Sequence, residues 1–188
     1  MKIKQICSIT SGINSRRHPQ GTVYFLGASD FVDPYTVDSF MTPGLLASSK
    51  LEKHYLRAGD VAVLAKGHHG FTAHYINGSL QPAVASSVFL VLREIQAEVL
   101  PEYLVWYINL ESTQSQLKAY ARGSALPAIN RTILGDLKID MPSLSIQQDI
   151  VSLSRLKKEE SRLIQKLDDL KTTQLEFLLK TKIQNNEK

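Results

Sequence analysis

The stretch Leu137-Lys138-Ile139-Asp140-Met141-Pro142-Ser143-Leu144-Ser145-Ile146-Gln147-Gln148-Asp149-Ile150-Val151 divides the chain into two materials. All ten Gly, all seven Pro and thirteen of the fourteen aromatic residues precede Ser143. From Ser145 onward there is neither Gly nor Pro, and Leu, Ile, Lys, Gln, Glu and Asp dominate. That composition forms helix. After Pro142, Ser145 and Gln148 have the spacing of a capping box, in which the serine hydroxyl accepts an amide three residues on and the glutamine reaches back. One helix is therefore expected from Ser145 to about Ile183, and the chain is expected to divide into 1–144 and 145–188.

With Leu153 at heptad position a, Leu156, Leu163, Leu170 and Phe177 fall at d, and Leu153, Glu160, Leu167 and Gln174 at a. An apolar d seam with polar residues at alternate a positions favours a paired helix of restricted register. Leu153, Leu156, Leu163, Leu167, Leu170 and Phe177 are the candidate dimerisation residues. At 1.5 Å per residue the segment reaches about 60 Å, roughly twice the diameter of a small domain, and is expected to project. The alternative is a surface helix folded back over the core.

Upstream, short strands alternate with turns. Thr22–Leu26, Val61–Leu64, Phe71–Ile76 and Val84–Leu92 are rich in β-branched and aromatic residues. Asn77-Gly78 has the form of a hairpin turn, because both residues accept positive φ. Leu100-Pro101-Glu102 opens a helix to about Ala121, with Tyr103, Trp106, Tyr107, Leu110 and Leu117 as its apolar stripe. The expected class is α+β: a β-rich domain with peripheral helices, followed by one long coiled-coil-forming helix.

The 188 residues are 43% hydrophobic and 21% charged, as in a folded domain and unlike disordered or collagenous chains. No run approaches the ~18 consecutive apolar residues of a membrane span. The single Cys7 reads as a small core residue of a reducing compartment, and a cytoplasmic location is expected. A net charge of +4 favours a polyanionic partner.

Catalytic motifs fare poorly. Asp33-Pro34-Tyr35 approaches the Asp-Pro-Pro-Tyr loop of adenine amino-methyltransferases, but one proline and the glycine-rich methyl-donor loop are missing; an ordinary turn is the better reading. Neither Gly27-Ala28-Ser29 nor Ser86-Ser87 sits in Gly-x-Ser-x-Gly. His68, His69 and His74 lack metal-ligand spacing, and Asp30, Asp60 and Lys66 make only a weak nuclease constellation. No catalytic or metal-binding residue is expected.

Basic residues instead gather at turns: Arg16-Arg17-His18, Lys50 and Lys53, Lys66-Gly67-His68-His69-Gly70, and Arg122 with Arg131. Short loops carrying such donors on a β-scaffold can reach phosphates and base edges. Arg16, Arg17, Lys66, His68, His69, Arg122 and Arg131 are the candidate DNA contacts, and Asn130 is expected to cap a short helix.

In order along the chain, Ile6–Gly12, Leu56-Arg57-Ala58-Gly59-Asp60-Val61, the Gly67–Gly70 turn, Leu100–Ile108, Ala121–Ile129 and Leu137–Val151 resemble segments of the specificity subunit of type I restriction-modification systems. The resemblance covers nearly the whole chain. It implies a non-catalytic subunit whose globular part reads a short sequence of double-stranded DNA. The helix would set the distance to a second recognition domain and dock methyltransferase subunits, and a restriction/translocase subunit would be a further partner. S-adenosylmethionine, ATP and Mg would belong to those partners, with no cofactor in this chain. A full specificity subunit carries two recognition domains and two such helices, whereas one of each is found here. A homodimer with antiparallel helices would restore two domains and read an inverted repeat; a fragment is the other reading. A protein-interaction adaptor with no DNA preference, and a small nuclease, are the competing functions from other classes.

Overall fold

The computed structural model describes residues 1–68, 70–121 and 126–186. Among the described residues eight strands are formed: β1 Ser8–Ser11, β2 Tyr24–Leu26, β3 Phe31–Asp33, β4 Thr36–Val37, β5 Val61–Leu64, β6 Ala73–Tyr75, β7 Ala83–Ala85 and β8 Phe89–Arg93. The helices are α1 Ser49–Glu52, α2 Pro101–Ile108, α3 Glu111–Tyr120, α4 Arg131–Asp136 and α5 Leu144–Asn186. The fold is α+β, as expected, and falls into two compact units, Met1–Gln148 and Asp149–Lys188.

An antiparallel sheet in the order β1-β8-β5-β6 forms the centre of the first unit. Its strands β5 and β8 are buried on both faces. Val61, Val63, Leu90 and Leu92 pack with Leu104, Val105, Ile108, Leu117 and Leu134 of the helices. The alternate residues Ala62, Leu64, Phe89 and Val91 pack with Leu26, Leu56, Ala83 and Ala85. This is the period-2 division of a strand between two layers, and it explains why Val61–Leu64 is apolar without interruption.

Several sequence expectations are corrected. Val84–Leu92 is two strands, because β7 pairs in parallel with β2 while β8 pairs with β1 and β5. The turn from Ser86 to Phe89, whose Phe89 amide donates to the Ser86 carbonyl at 3.0 Å, redirects the chain between the sheets. Asn77-Gly78 is a turn, with Gly78 at φ +78 and the Asn77 carboxamide accepting the Ser79 amide at 2.9 Å, but it joins strands that do not pair. The hairpin lies instead between β5 and β6. Thr22–Leu26 shortens to β2, and Phe71–Ile76 to β6.

The helix expected over 101–121 is broken at Asn109-Leu110. The Asn109 carboxamide leaves the helix surface to accept the Ala73 amide at 2.8 Å and donate to the Ala73 carbonyl at 2.9 Å. Gln114 does the same for Phe71, at 2.9 and 3.0 Å. β6 is an edge strand, and these two side chains, with the Pro34 carbonyl accepting the Tyr75 amide at 2.7 Å, occupy its outer row of backbone groups. An uncovered edge is a template for mispairing.

Helix α5 begins at Leu144, so Ser145 lies inside its first turn and is not the cap. The fully buried residue there is Gln147, not Gln148. Its carboxamide accepts the Leu100 amide at 2.9 Å and donates to the carbonyls of Glu98 and Pro142, both at 2.9 Å. In the second unit Leu153, Leu156, Leu163, Leu167, Leu170 and Phe177 are all exposed. No described helix is long and apolar enough to cross a membrane.

Candidate nucleic-acid interface

The register of the central sheet brings Ser11, Phe89, Leu64 and Ala73 to one end. The loops that leave this end carry most of the basic candidates. In the β5–β6 loop, Lys66 pairs in a β-bridge with Ala128, the Gly67 amide donates to the Pro127 carbonyl at 3.1 Å, and the Ile129 amide to the Ala65 carbonyl at 2.9 Å. The loop is thus fastened to segment 127–129, leaving Lys66 and His68 exposed. Gly67 and Gly70 hold φ of +145 and +98, conformations that side chains other than glycine rarely adopt.

From segment 127–129 the chain passes to Asn130, whose side chain accepts the Ile133 amide at 2.8 Å and caps α4 as expected. Arg131, the first residue of that helix, donates through Nε and Nη2 to the Ser11 hydroxyl at 3.2 and 3.0 Å. Arg131 and Lys66 therefore flank the same end of the sheet. Sequence reasoning missed Lys118. A Cβ added to Gly70 would lie 3.5 Å from Lys118 Cε and 3.9 Å from Nζ, so this exposed lysine of α3 stands beside the Lys66 loop.

After β1 the chain turns at Gly12, where a Cβ would overlap the Ser86 carbonyl, and continues to Arg16 and Arg17. Arg16 is exposed. Arg17 Nη2 donates to the Phe25 carbonyl at 3.0 Å and pairs with Asp30 at 3.3 Å, with its guanidinium 5.7 Å from the Phe25 ring centre. The structure thus brings together Lys66, His68 and Arg131 with Lys118, and fixes Arg17 on the adjoining segment. His69 and Arg122 lie outside the described residues.

The acidic groups are already engaged. Asp60 precedes β5 and Lys66 follows it, six residues of extended chain or roughly 20 Å away. Asp60 pairs with Arg93 at 2.8 Å and accepts the Arg57 amide at 3.0 Å. Burial pushes its carboxyl up, while these two partners pull it back. Asp30 accepts the Gly27 amide at 2.7 Å beside Arg17. The imagined nuclease constellation of Asp30, Asp60 and Lys66 is therefore not assembled, and among the described residues no three His, Cys, Asp or Glu are grouped to hold a metal. Asp33-Pro34-Tyr35 is the β3–β4 turn, with the Tyr35 amide donating to Asp33 at 2.7 Å. Burial raises the Cys7 thiol to about 12, which keeps it protonated and unreactive.

Comparison with known proteins agrees with this architecture. Residues 1–172 match the family described as "Type I restriction modification DNA specificity domain", and the chain belongs to that family. No curated protein matches it. Among solved structures, it is similar to the HsdS subunit from Thermoanaerobacter tengcongensis, with TM-score 0.61 and 20% identity over 87% of this chain and 38% of that one. It is similar to the S subunit of the type I restriction-modification system from M. genitalium, with TM-score 0.57 and 14% identity over 85% of this chain and 38% of that one. A chain from a structure addressing complex assembly and conformational transition of the type I R-M system gives TM-score 0.56 and 18% identity, over 87% and 39%. At these identities the likeness is one of fold, and the chain spans less than two fifths of the length of each.

Proposed function

We propose that this chain is a non-catalytic DNA-specificity subunit of half length, whose globular unit reads a short sequence of duplex DNA. The observation that carries this reading is the family match over residues 1–172, and the gathering of Lys66, His68, Lys118 and Arg131 at one end of a rigid sheet supports it. Arg16, Arg17, His69 and Arg122 complete the proposed contact set. Phosphate contacts by these groups would supply affinity, and a few base-edge contacts, each worth ~1–3 kcal/mol, would supply discrimination.

In the same reading the exposed seam of α5 pairs antiparallel with that of a second copy, restoring two recognition domains and a bipartite target. A methyltransferase subunit and a restriction/translocase subunit, with their S-adenosylmethionine, ATP and Mg, would perform modification and cleavage in the cytoplasm. The test is selection from random duplex DNA by the purified chain across a salt series, alone and with a type I methyltransferase subunit from the same source. An inverted repeat with a fixed gap is the expected product. A single asymmetric half-site would retain recognition and remove the dimer. No enriched sequence in either arm would overturn DNA recognition and favour a protein-interaction adaptor.

A further inference from the structure

Phe40 is 91% exposed, the most exposed of the large apolar side chains described. Its backbone is nevertheless fixed. The Phe40 amide donates to the Asp38 carboxylate at 2.9 Å, and the Asp38 amide donates to the Asp30 carbonyl at 2.8 Å. On the far side of the loop the Gly44 and Leu45 amides both donate to the Val23 carbonyl, at 2.9 and 3.0 Å. Met41 turns inward and packs on the core beneath β5 and β8. The loop therefore holds one phenyl ring outward while half-burying its neighbour.

Both feet of this loop are gripped by the basic segment that follows β1. Asp30 is the ion-pair partner of Arg17. The Gly44 carbonyl accepts the His18 amide at 2.8 Å, and a Cβ on Gly44 would stand 3.2 Å from the Arg17 guanidinium. Asp30 pairs with Arg17, and the Asp38 carboxylate accepts the Phe40 amide. An exposed aromatic ring thus stands on a loop whose feet are fastened to Arg17 and His18, next in the chain to the exposed Arg16. A flat apolar surface bounded by anions is its complement, and stacked bases between phosphates have that form.

We propose that Phe40 is a wedge that enters a base step of the bound duplex and unstacks it, while Arg16 and Arg17 of the adjoining segment contact the phosphates. The proposal rests on the DNA-reading function above. To test it, the duplex selected by the wild-type chain is synthesised with 2-aminopurine at successive positions, and fluorescence and affinity are measured for the full chain and for Phe40→Ala and Phe40→Trp. The wild type raises fluorescence at one step. Phe40→Ala abolishes that rise and weakens binding about tenfold, the loss expected for one base stacked on an aromatic ring, with an unchanged circular dichroism spectrum. Phe40→Trp retains both properties. Unaltered fluorescence and affinity in Phe40→Ala would remove the wedge alone. Loss of methyltransferase binding with intact DNA behaviour would reassign Phe40 to protein docking. Failure of the wild type to select any duplex would remove the wedge together with DNA reading.

Discussion

Asn109 and Ala73 exchange two hydrogen bonds across 36 residues of sequence, and Ala73 is fully buried. Asn109→Ala strands both backbone groups away from water, so the expected loss is about 2–3 kcal/mol in chemical denaturation. Asn109→Gln, one methylene too long for the site, recovers little. His74 offers a second measurement at this scale. It is stacked on Phe31 with ring centres 4.1 Å apart, and burial lowers its pKa from the ordinary 6.5, opposed by the nearby Asp33. The native state therefore resists a proton that the unfolded chain binds. The stabilising contribution is complete above pH 6.5 and is lost as pH falls toward the depressed native value, with a slope of at most about 1.4 kcal/mol per pH unit. Unfolding curves at pH 7, 6 and 5 should show this decline, and His74→Gln should flatten it.

At the scale of elements, α5 carries a testable seam. Leu163→Lys with Leu170→Lys places two charges at d positions that are already exposed, so the isolated chain keeps its fold while helix pairing is lost. Under the proposed antiparallel pairing, sedimentation should report a dimer for the wild type and a monomer for this variant; equal masses would remove the paired helix. Where elements begin and end followed local chemistry when the cause was local. Val61–Leu64 was legible as a strand from its unbroken apolar run, Asn130 as a cap from its position before Arg131, and the long helix from the absence of Gly and Pro after Ser145. The break at Asn109 was not legible, since the group that causes it is the backbone of Ala73 on another element. Nor was the β7–β8 division, because Ala83–Ala85 become a strand only by pairing with Tyr24–Leu26.

For the whole molecule, the candidate interface is a property of the sheet. Lys66 and Arg131 were visible as basic turn residues, but only the register of β1, β5 and β8 brings their loops together, and Lys118 enters through its helix packing beside Gly70. Affinity for duplex DNA is expected to fall steeply with salt. Lys66→Ala, Lys118→Ala and Arg131→Ala should each reduce the slope of log K against log salt by about one if the group neutralises a phosphate. A residue that instead reads a base should change the selected sequence and leave the slope intact. Arg131 is the better candidate for an oriented contact, because Ser11 fixes its guanidinium, whereas Lys66 and Lys118 present mobile point charges.

Near the amino terminus the Ile3 amide donates to the Leu137 carbonyl at 3.1 Å, the Ile139 amide donates to the Met1 carbonyl at 2.8 Å, and Lys2 is bridged to Lys138. The polypeptide thus comes into the globule and goes out of it at adjoining points, just ahead of α5. A fold whose first and last segments are tied to each other closes like a clasp: opening either residues 1–3 or residues 137–139 releases both.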